Sequence, residues 1–159
     1  MPVEIERKFL VKGDAWRSLA TGIPYCQGYI ASTAGRTVRV RVVGEHGYLT
    51  IKGATTGISR AEFEYPIPLD DALELLQALC DPPLIQKKRY TIECEGLLWE
   101  VDEFEGDNQG LIVAEVELTD ASQTIVLPDW IDREVSDDPR YFNSNLAKHP
   151  FSQWRRDEA

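Results

Sequence analysis

The sequence predicts an α+β protein: eight short β-strands paired antiparallel, with a few helices packed against the sheet. Three observations carry this reading. Strand-like runs recur along most of the 159 residues with turn signals between them, residues 70–80 show the apolar spacing of a helix, and charged residues stand at every second position of most strands. The strands are expected near 3–11, 23–31, 36–43, 47–53, 60–67, 84–94, 97–104 and 111–118. No linker, internal repeat or low-complexity stretch divides the chain, so a single domain over 1–159 is expected.

The first strand, "VEIERKFLV", alternates Glu4, Glu6 and Lys8 with Ile5, Arg7 and Phe9. Side chains two apart on a strand share a face, so the three charges form one row. A short helix is expected over "DAWRSLA" at 14–20. "QGYI" belongs to the second strand and "RTVRVRVV" to the third, and "GEHG" at 44–47 reads as the hairpin loop leading into "YLTIK". After the fifth strand, "SRAEFEY", comes the helix "DDALELLQALC", with Asp70 as N-cap and Ala72, Leu75, Leu76 and Leu79 on one face. "QKKRYTIEC" and "LLWEVDEF" pair across "EG" at 95–96, and "LIVAEVEL" is the eighth strand. The C-terminal "RYFNSNLAKH" reads as a helix, followed by an exposed tail, "PFSQWRRDEA".

A net charge of -10 and a pI near 4.7 argue against a surface that coats nucleic acid or anionic membrane. Cys26, Cys80 and Cys94 are odd in number and lack C-x-x-C spacing, the pattern of idle thiols in a reducing compartment. With no apolar h-region near the start and no apolar run of about 18 residues, a cytoplasmic location is expected. His46 and His149 are isolated from each other, and Trp16, Trp99, Trp130 and Trp154 are scattered like core residues. No Walker A loop, G-x-G-x-x-G or Ser-His-Asp pattern occurs.

The charge rows extend to Arg39 and Arg41, to Arg60, Glu62 and Glu64, to Lys87 and Arg89, to Glu100 and Asp102, and to Glu115 and Glu117, with Lys52 on the fourth strand. Alternation alone leaves two arrangements open: a half-exposed sheet with its charges in water, or a closed sheet with charges inside and apolar faces outward. Like charges side by side cost about 0.2–1 kcal/mol on a sheet. Segregated acids and bases therefore point to compensation, by a divalent cation with oxygen ligands and by a polyanion such as phosphate.

The ordered set "EIERKFLV", "QGYI", "RVRV", "LTIKG", "ISRAEFE", "KKRY", "WEVDEF", "AEVEL" and "RYFNSNLA" resembles the CYTH superfamily, the triphosphate tunnel metalloenzymes, over nearly the whole chain. The likeness is greatest to its compact bacterial members, which resemble inorganic triphosphatases. It implies an eight-stranded antiparallel closed β-barrel, a tunnel with a charged interior and helices outside, holding a small-molecule triphosphate with Mg2+ or Mn2+. Carried over residue by residue, it makes Glu4, Glu6, Glu115 and Glu117 metal ligands, with Glu62, Glu64 and Asp102 as candidates for a second metal, for orienting cations or for positioning water. Lys8, Arg39, Arg41, Lys52, Arg60, Lys87 and Arg89 become the phosphate cradle. Lys8 is also the candidate general base, held by a hydrogen bond from Tyr29. Tyr141 and Asn143 fall in the segment that closes one tunnel end.

The activity this implies is metal-dependent hydrolysis of the terminal phosphoanhydride of inorganic triphosphate. Nucleoside- or thiamine-triphosphate hydrolysis and adenylate cyclisation stand as alternatives on the same fold, and a non-catalytic polyphosphate-binding module stands as another.

Overall fold

A strand with one charged and one apolar face must choose which to hide, and here the sheet closes on its charged side. The computed structural model describes residues 2–33 and 35–154. Among these, the strands are β1 (Val3–Val11), β2 (Ile23–Thr33), β3 (Arg36–Val43), β4 (His46–Gly53), β5 (Ser59–Ile67), β6 (Ile85–Cys94), β7 (Leu97–Phe104), β8 (Ile112–Glu117) and β9 (Ile131–Glu134). They run in the order β5-β4-β3-β2-β6-β7-β8-β1-β9, and β5 also pairs with β1, which makes a ring of eight strands. Every pairing is antiparallel.

Closure at β1 is shared between two strands. β5 holds its first residues (Val3↔Ala61, Glu4↔Arg60, Ile5↔Ser59), and the unpredicted β9 holds the same edge further on (Phe9↔Glu134, Val11↔Ile131). Between them the Ser136 hydroxyl accepts from the Lys8 backbone N–H at 2.9 Å. Four residues of β9, "IDRE", are too few to show a period. The turn "EG" puts both Glu95 (φ 51°) and Gly96 (φ 76°) at positive φ, as a two-residue hairpin of primed type requires.

The apolar faces point outward and are covered by the rest of the chain. Helix α1 (Leu69–Ala78) seats Ala72 and Leu76 over Val40 of β3. Its N-cap is Pro68 without a side-chain bond, so Asp70 serves the first turn by charge alone, and Leu79 lies past the helix, 59% exposed. The helix expected over 14–20 is one 3₁₀ turn, Ala15–Ser18, whose buried Trp16 packs beside Trp99 and Trp130 over Phe9, Val101 and Val116. The C-terminal segment breaks into a 3₁₀ turn, Pro139–Tyr141, and the short helix α2 (Asn143–Lys148). The expected exposed tail divides: Trp154 is buried against Tyr141 and Phe151, and residues 155–159 lie outside the described residues. Cys26, Cys80 and Cys94 are free thiols. Among the described residues no helix is long and apolar enough to cross a membrane.

Gly47 on β4 permits α1 to approach this closely. A Cβ there would lie 2.6 Å from the Ala72 Cβ and 3.2 Å from the Ile67 carbonyl oxygen. Gly47→Ala is expected to lower stability by about 1–3 kcal/mol through overpacking. A urea midpoint equal to that of the parent would show that α1 does not bear on β4.

Candidate active site

Because the inward faces carry the charges, the ring encloses a polar cavity of about 160 Å3. Of the residues singled out from the sequence, Glu4, Glu6, Lys8, Tyr29, Arg39, Arg41, Lys52, Arg60, Glu62, Lys87, Arg89, Glu100, Glu115, Glu117 and Asn143 line it. Register brings them together: Lys8 faces Glu115, Glu6 faces Glu117, Glu4 faces Arg60, and Lys52 faces Glu62. Glu64 and Asp102 stand apart from this lining. Glu64 sits at the rim, where its Oε2 accepts from Thr50 Oγ1 at 3.0 Å and from Arg39 Nη2 at 3.4 Å. Asp102 is 1% exposed, behind the cations: Oδ1 accepts from Arg89 Nε at 2.8 Å, and Oδ2 accepts from Lys87 Nζ at 2.7 Å and Arg89 Nη2 at 2.9 Å. Both of its oxygens are spent on orienting Lys87 and Arg89.

Lys8 Nζ donates to Glu115 Oε1 at 2.8 Å and lies 3.3 Å from Glu6 Oε1. Burial disfavours the charged form, but Glu115 and Glu6 outweigh it and carry the Lys8 pKa above the ordinary lysine value. With both carboxylates this close, the ammonium form of Lys8 is favoured. The expected bond from Tyr29 is absent among the described residues: the Tyr29 hydroxyl accepts instead from Gln27 Nε2 at 3.4 Å. Lys87, 0% exposed, is pushed down to about 7 by burial and by Arg89 and Arg41, against the pull of Asp102.

Acid crowds the cavity as well. Burial and the neighbouring Glu62 carboxyl, which favours a protonated Glu4, raise Glu4, although Lys52 Nζ lies 2.8 Å away. Burial and Glu115 push Glu6 up to about 7, and burial with Glu4 and Glu100 raises Glu117. Burial opposes ionisation of Glu115 too, but Lys8, Arg89 and Lys87 hold it well below the usual carboxylate range.

Asn143 is expected in the segment that closes one tunnel end, and the structure supplies its partners. Asn143, at the start of α2, accepts from Lys87 Nζ at 2.9 Å and from Gln27 Nε2 at 3.3 Å, which ties the closing segment to the cations. Behind it Tyr29, Ile85, Phe104, Val113, Tyr141, Leu146 and Trp154 form an apolar plug. Tyr25 and Gln27 share the inward face of β2 with Tyr29, and being uncharged they left no mark in the charge rows.

Known proteins place this arrangement. Residues 2–147 match the CYTH domain family. An inorganic triphosphatase of Acetivibrio thermocellus is 54% identical over 155 residues, covering 98% of this chain and 99% of the relative. The chain belongs to the CYTH domain family. An inorganic triphosphatase of Nitrosomonas europaea is 36% identical over 148 residues, covering 91% of this chain and 96% of that one. A crystal structure of an inorganic triphosphatase matches the CYTH fold seen here with a TM-score of 0.63 at 33% identity, over 92% of this chain and 95% of the other.

CYTH membership implies a divalent metal, and the donor set fits one. Glu4, Glu6, Glu62 and Glu117 offer hard anionic oxygens; burial first, and neighbouring carboxylates second, raise Glu4, Glu6 and Glu117, and a dication would offset both. Their present partners are lysines: among the described residues no three acidic, histidine or cysteine side chains converge at ligand spacing, since Glu4 is turned to Lys52 and Glu6 to Lys8.

Proposed function

We propose that this CYTH protein hydrolyses the terminal phosphoanhydride of inorganic triphosphate with Mg2+ or Mn2+. The observation that carries the reading is the enclosed cavity lined by clustered acids together with seven cations, Lys8, Arg39, Arg41, Lys52, Arg60, Lys87 and Arg89. Its relatives that bear the name inorganic triphosphatase support the substrate class.

Glu4, Glu6, Glu115 and Glu117, with Glu62 beside Glu4, would hold the metal. When bound, such an ion neutralises charge on phosphate oxygens and favours their in-line arrangement. The rest falls to the protein's own side chains. Arg39, Arg41 and Arg89 offer planar forks to phosphoryl oxygens, and Lys52 and Lys87 offer point charges, so a linear chain of phosphoryl groups is bound at several places at once. Arg60, whose Nε and Nη2 donate to the Gly53 carbonyl at 3.1 and 2.8 Å, is held at the edge of this cradle. Glu64 and Asp102 orient Arg39 and the Lys87–Arg89 pair and take the orienting role among those the resemblance allowed. Lys8, kept protonated by Glu115, serves as a phosphate-binding cation, and Tyr29 presents a hydroxyl to the same cavity. In the reaction the water oxygen bonds to the terminal phosphorus, the bridging P–O bond breaks with its electron pair left on the pyrophosphate oxygen, the water's protons pass to the product phosphates or to solvent, and orthophosphate and pyrophosphate leave.

Purified protein with Mg2+ or Mn2+ is expected to release orthophosphate from tripolyphosphate faster than from ATP or thiamine triphosphate in a side-by-side kinetic panel. A complete screen of metals and triphosphates without turnover would remove the proposal.

A further inference from the structure

The cations of the cavity differ in one respect. Lys8, Lys52, Lys87, Arg39 and Arg89 each meet a carboxylate: Glu115, Glu4, Asp102, Glu64 and, for Arg89, Asp102 with Glu100. A phosphate that binds them must compete with that partner. Arg60 and Arg41 meet no carboxylate among the described residues: Arg60 is fastened to the Gly53 backbone carbonyl through Nε and Nη2, whereas Arg41 has neutral side-chain company. Its Nε donates to Gln27 Oε1 at 2.8 Å, its guanidinium carbon lies 5.0 Å from the Tyr25 ring centroid, and among the described residues no carboxylate pairs with it. Burial, with Arg39 and Arg89 nearby, lowers its pKa to about 10, the mark of a cation lacking its counter-charge.

That neutral company is built. Gln27 is 0% exposed, and its amide orientation is dictated from the far side. Asn143 Oδ1 already accepts from Lys87, so the end of Gln27 facing it must be the donating NH2, which leaves the oxygen for Arg41. Tyr25 stands between two guanidiniums, Arg41 at 5.0 Å and Arg89 at 4.9 Å, carried by β3 and β6 on opposite edges of β2. A π face attracts both cations and neutralises neither.

We propose that Gln27 and Tyr25 are positioning residues that hold Arg41 as a charge-unpaired anchor, so that an incoming polyphosphate chain binds it without displacing a carboxylate. This rests on the proposed triphosphatase reading and identifies a cation that takes phosphate without giving up a carboxylate.

The test uses the full chain, with tripolyphosphate binding measured by calorimetry without metal and turnover measured with Mg2+ or Mn2+. Gln27→Glu places an anion where the amide oxygen stands, and is expected to weaken binding and raise KM about tenfold or more, with kcat changing less. Tyr25→Leu is expected to raise KM in the same direction, and Tyr25→Phe, which keeps the ring, to restore it. If Gln27→Glu does not fold, the Tyr25 pair decides alone. A folded Gln27→Glu with the parental KM, or Tyr25→Leu and Tyr25→Phe that behave alike, overturns the proposal. A parent protein that neither binds nor cleaves tripolyphosphate overturns the functional reading instead.

Discussion

Asp102→Ala is expected to destabilise the fold by about 3–5 kcal/mol, read as a large fall in the urea midpoint. The loss comes from what remains. Lys87 and Arg89, at 0% and 7% exposure, would keep their burial and lose the carboxylate that accepts three hydrogen bonds from them. Lys87 softens the penalty by shedding its proton, since its surroundings already push it down to about 7; Arg89 has no such exit. Asp102→Asn keeps the shape but not the charge and should fall in the same direction.

Two further results follow from the same cause. Burial works against an ionised Asp102, yet Arg89 and Lys87 hold its pKa below the ordinary aspartate value. Its stabilisation is therefore complete above the ordinary aspartate range and is lost as the pH falls through the lower folded value. Added tripolyphosphate should also recover part of the variant's stability, because a polyanion that binds only the folded state supplies the missing charge. A change in stability under about 1 kcal/mol would mean that the three side chains stand in water.

Glu4→Gln is expected to lower turnover of tripolyphosphate by about two orders of magnitude or more while leaving part of its metal-free binding. The amide has nearly the same shape, so the fold should persist. It removes a hard anionic oxygen from the acid cluster and takes from Lys52 the carboxylate it meets at 2.8 Å. Lys52 is then free to meet phosphate, which is why binding outlasts catalysis. Kinetics over a series of Mg2+ or Mn2+ concentrations, beside calorimetry without metal, would separate the two effects. Parental kcat in the glutamine variant would exclude Glu4 from the metal cluster.

Much of the cavity could be read from the chain because the pleat is local. Residues i and i+2 share a face whatever the sheet does, so Glu4 with Glu6, Arg39 with Arg41, and Lys87 with Arg89 were bound to stand together. Partnership across strands follows register, which no local rule supplies. Lys8 shows the difference: its place in the row was legible, but its protonation depended on Glu115, 107 residues away and opposite it on β8. Asp102 and Glu64 likewise showed their charge in the sequence, but not that both face cations first.

Uncharged residues were harder. Gln27 opens the segment "QGYI" and Tyr25 lies outside any motif; neither belongs to a charge row, and they matter because β2 lies between β3 and β6. Asn143 sits in a segment whose helix is six residues long, too short to declare a face.

By itself, then, the sequence determined which side chains would share a surface, because the extended backbone turns each one opposite to the last. That this surface is the inner one was decided by tertiary structure: β5 returns to β1 and closes the ring, and the apolar outer faces find α1 and the Trp-rich segments to cover them. A charged row in an open sheet would be hydrated; the same row in a closed one must be answered by its neighbours, and that requirement turns a pattern into a site.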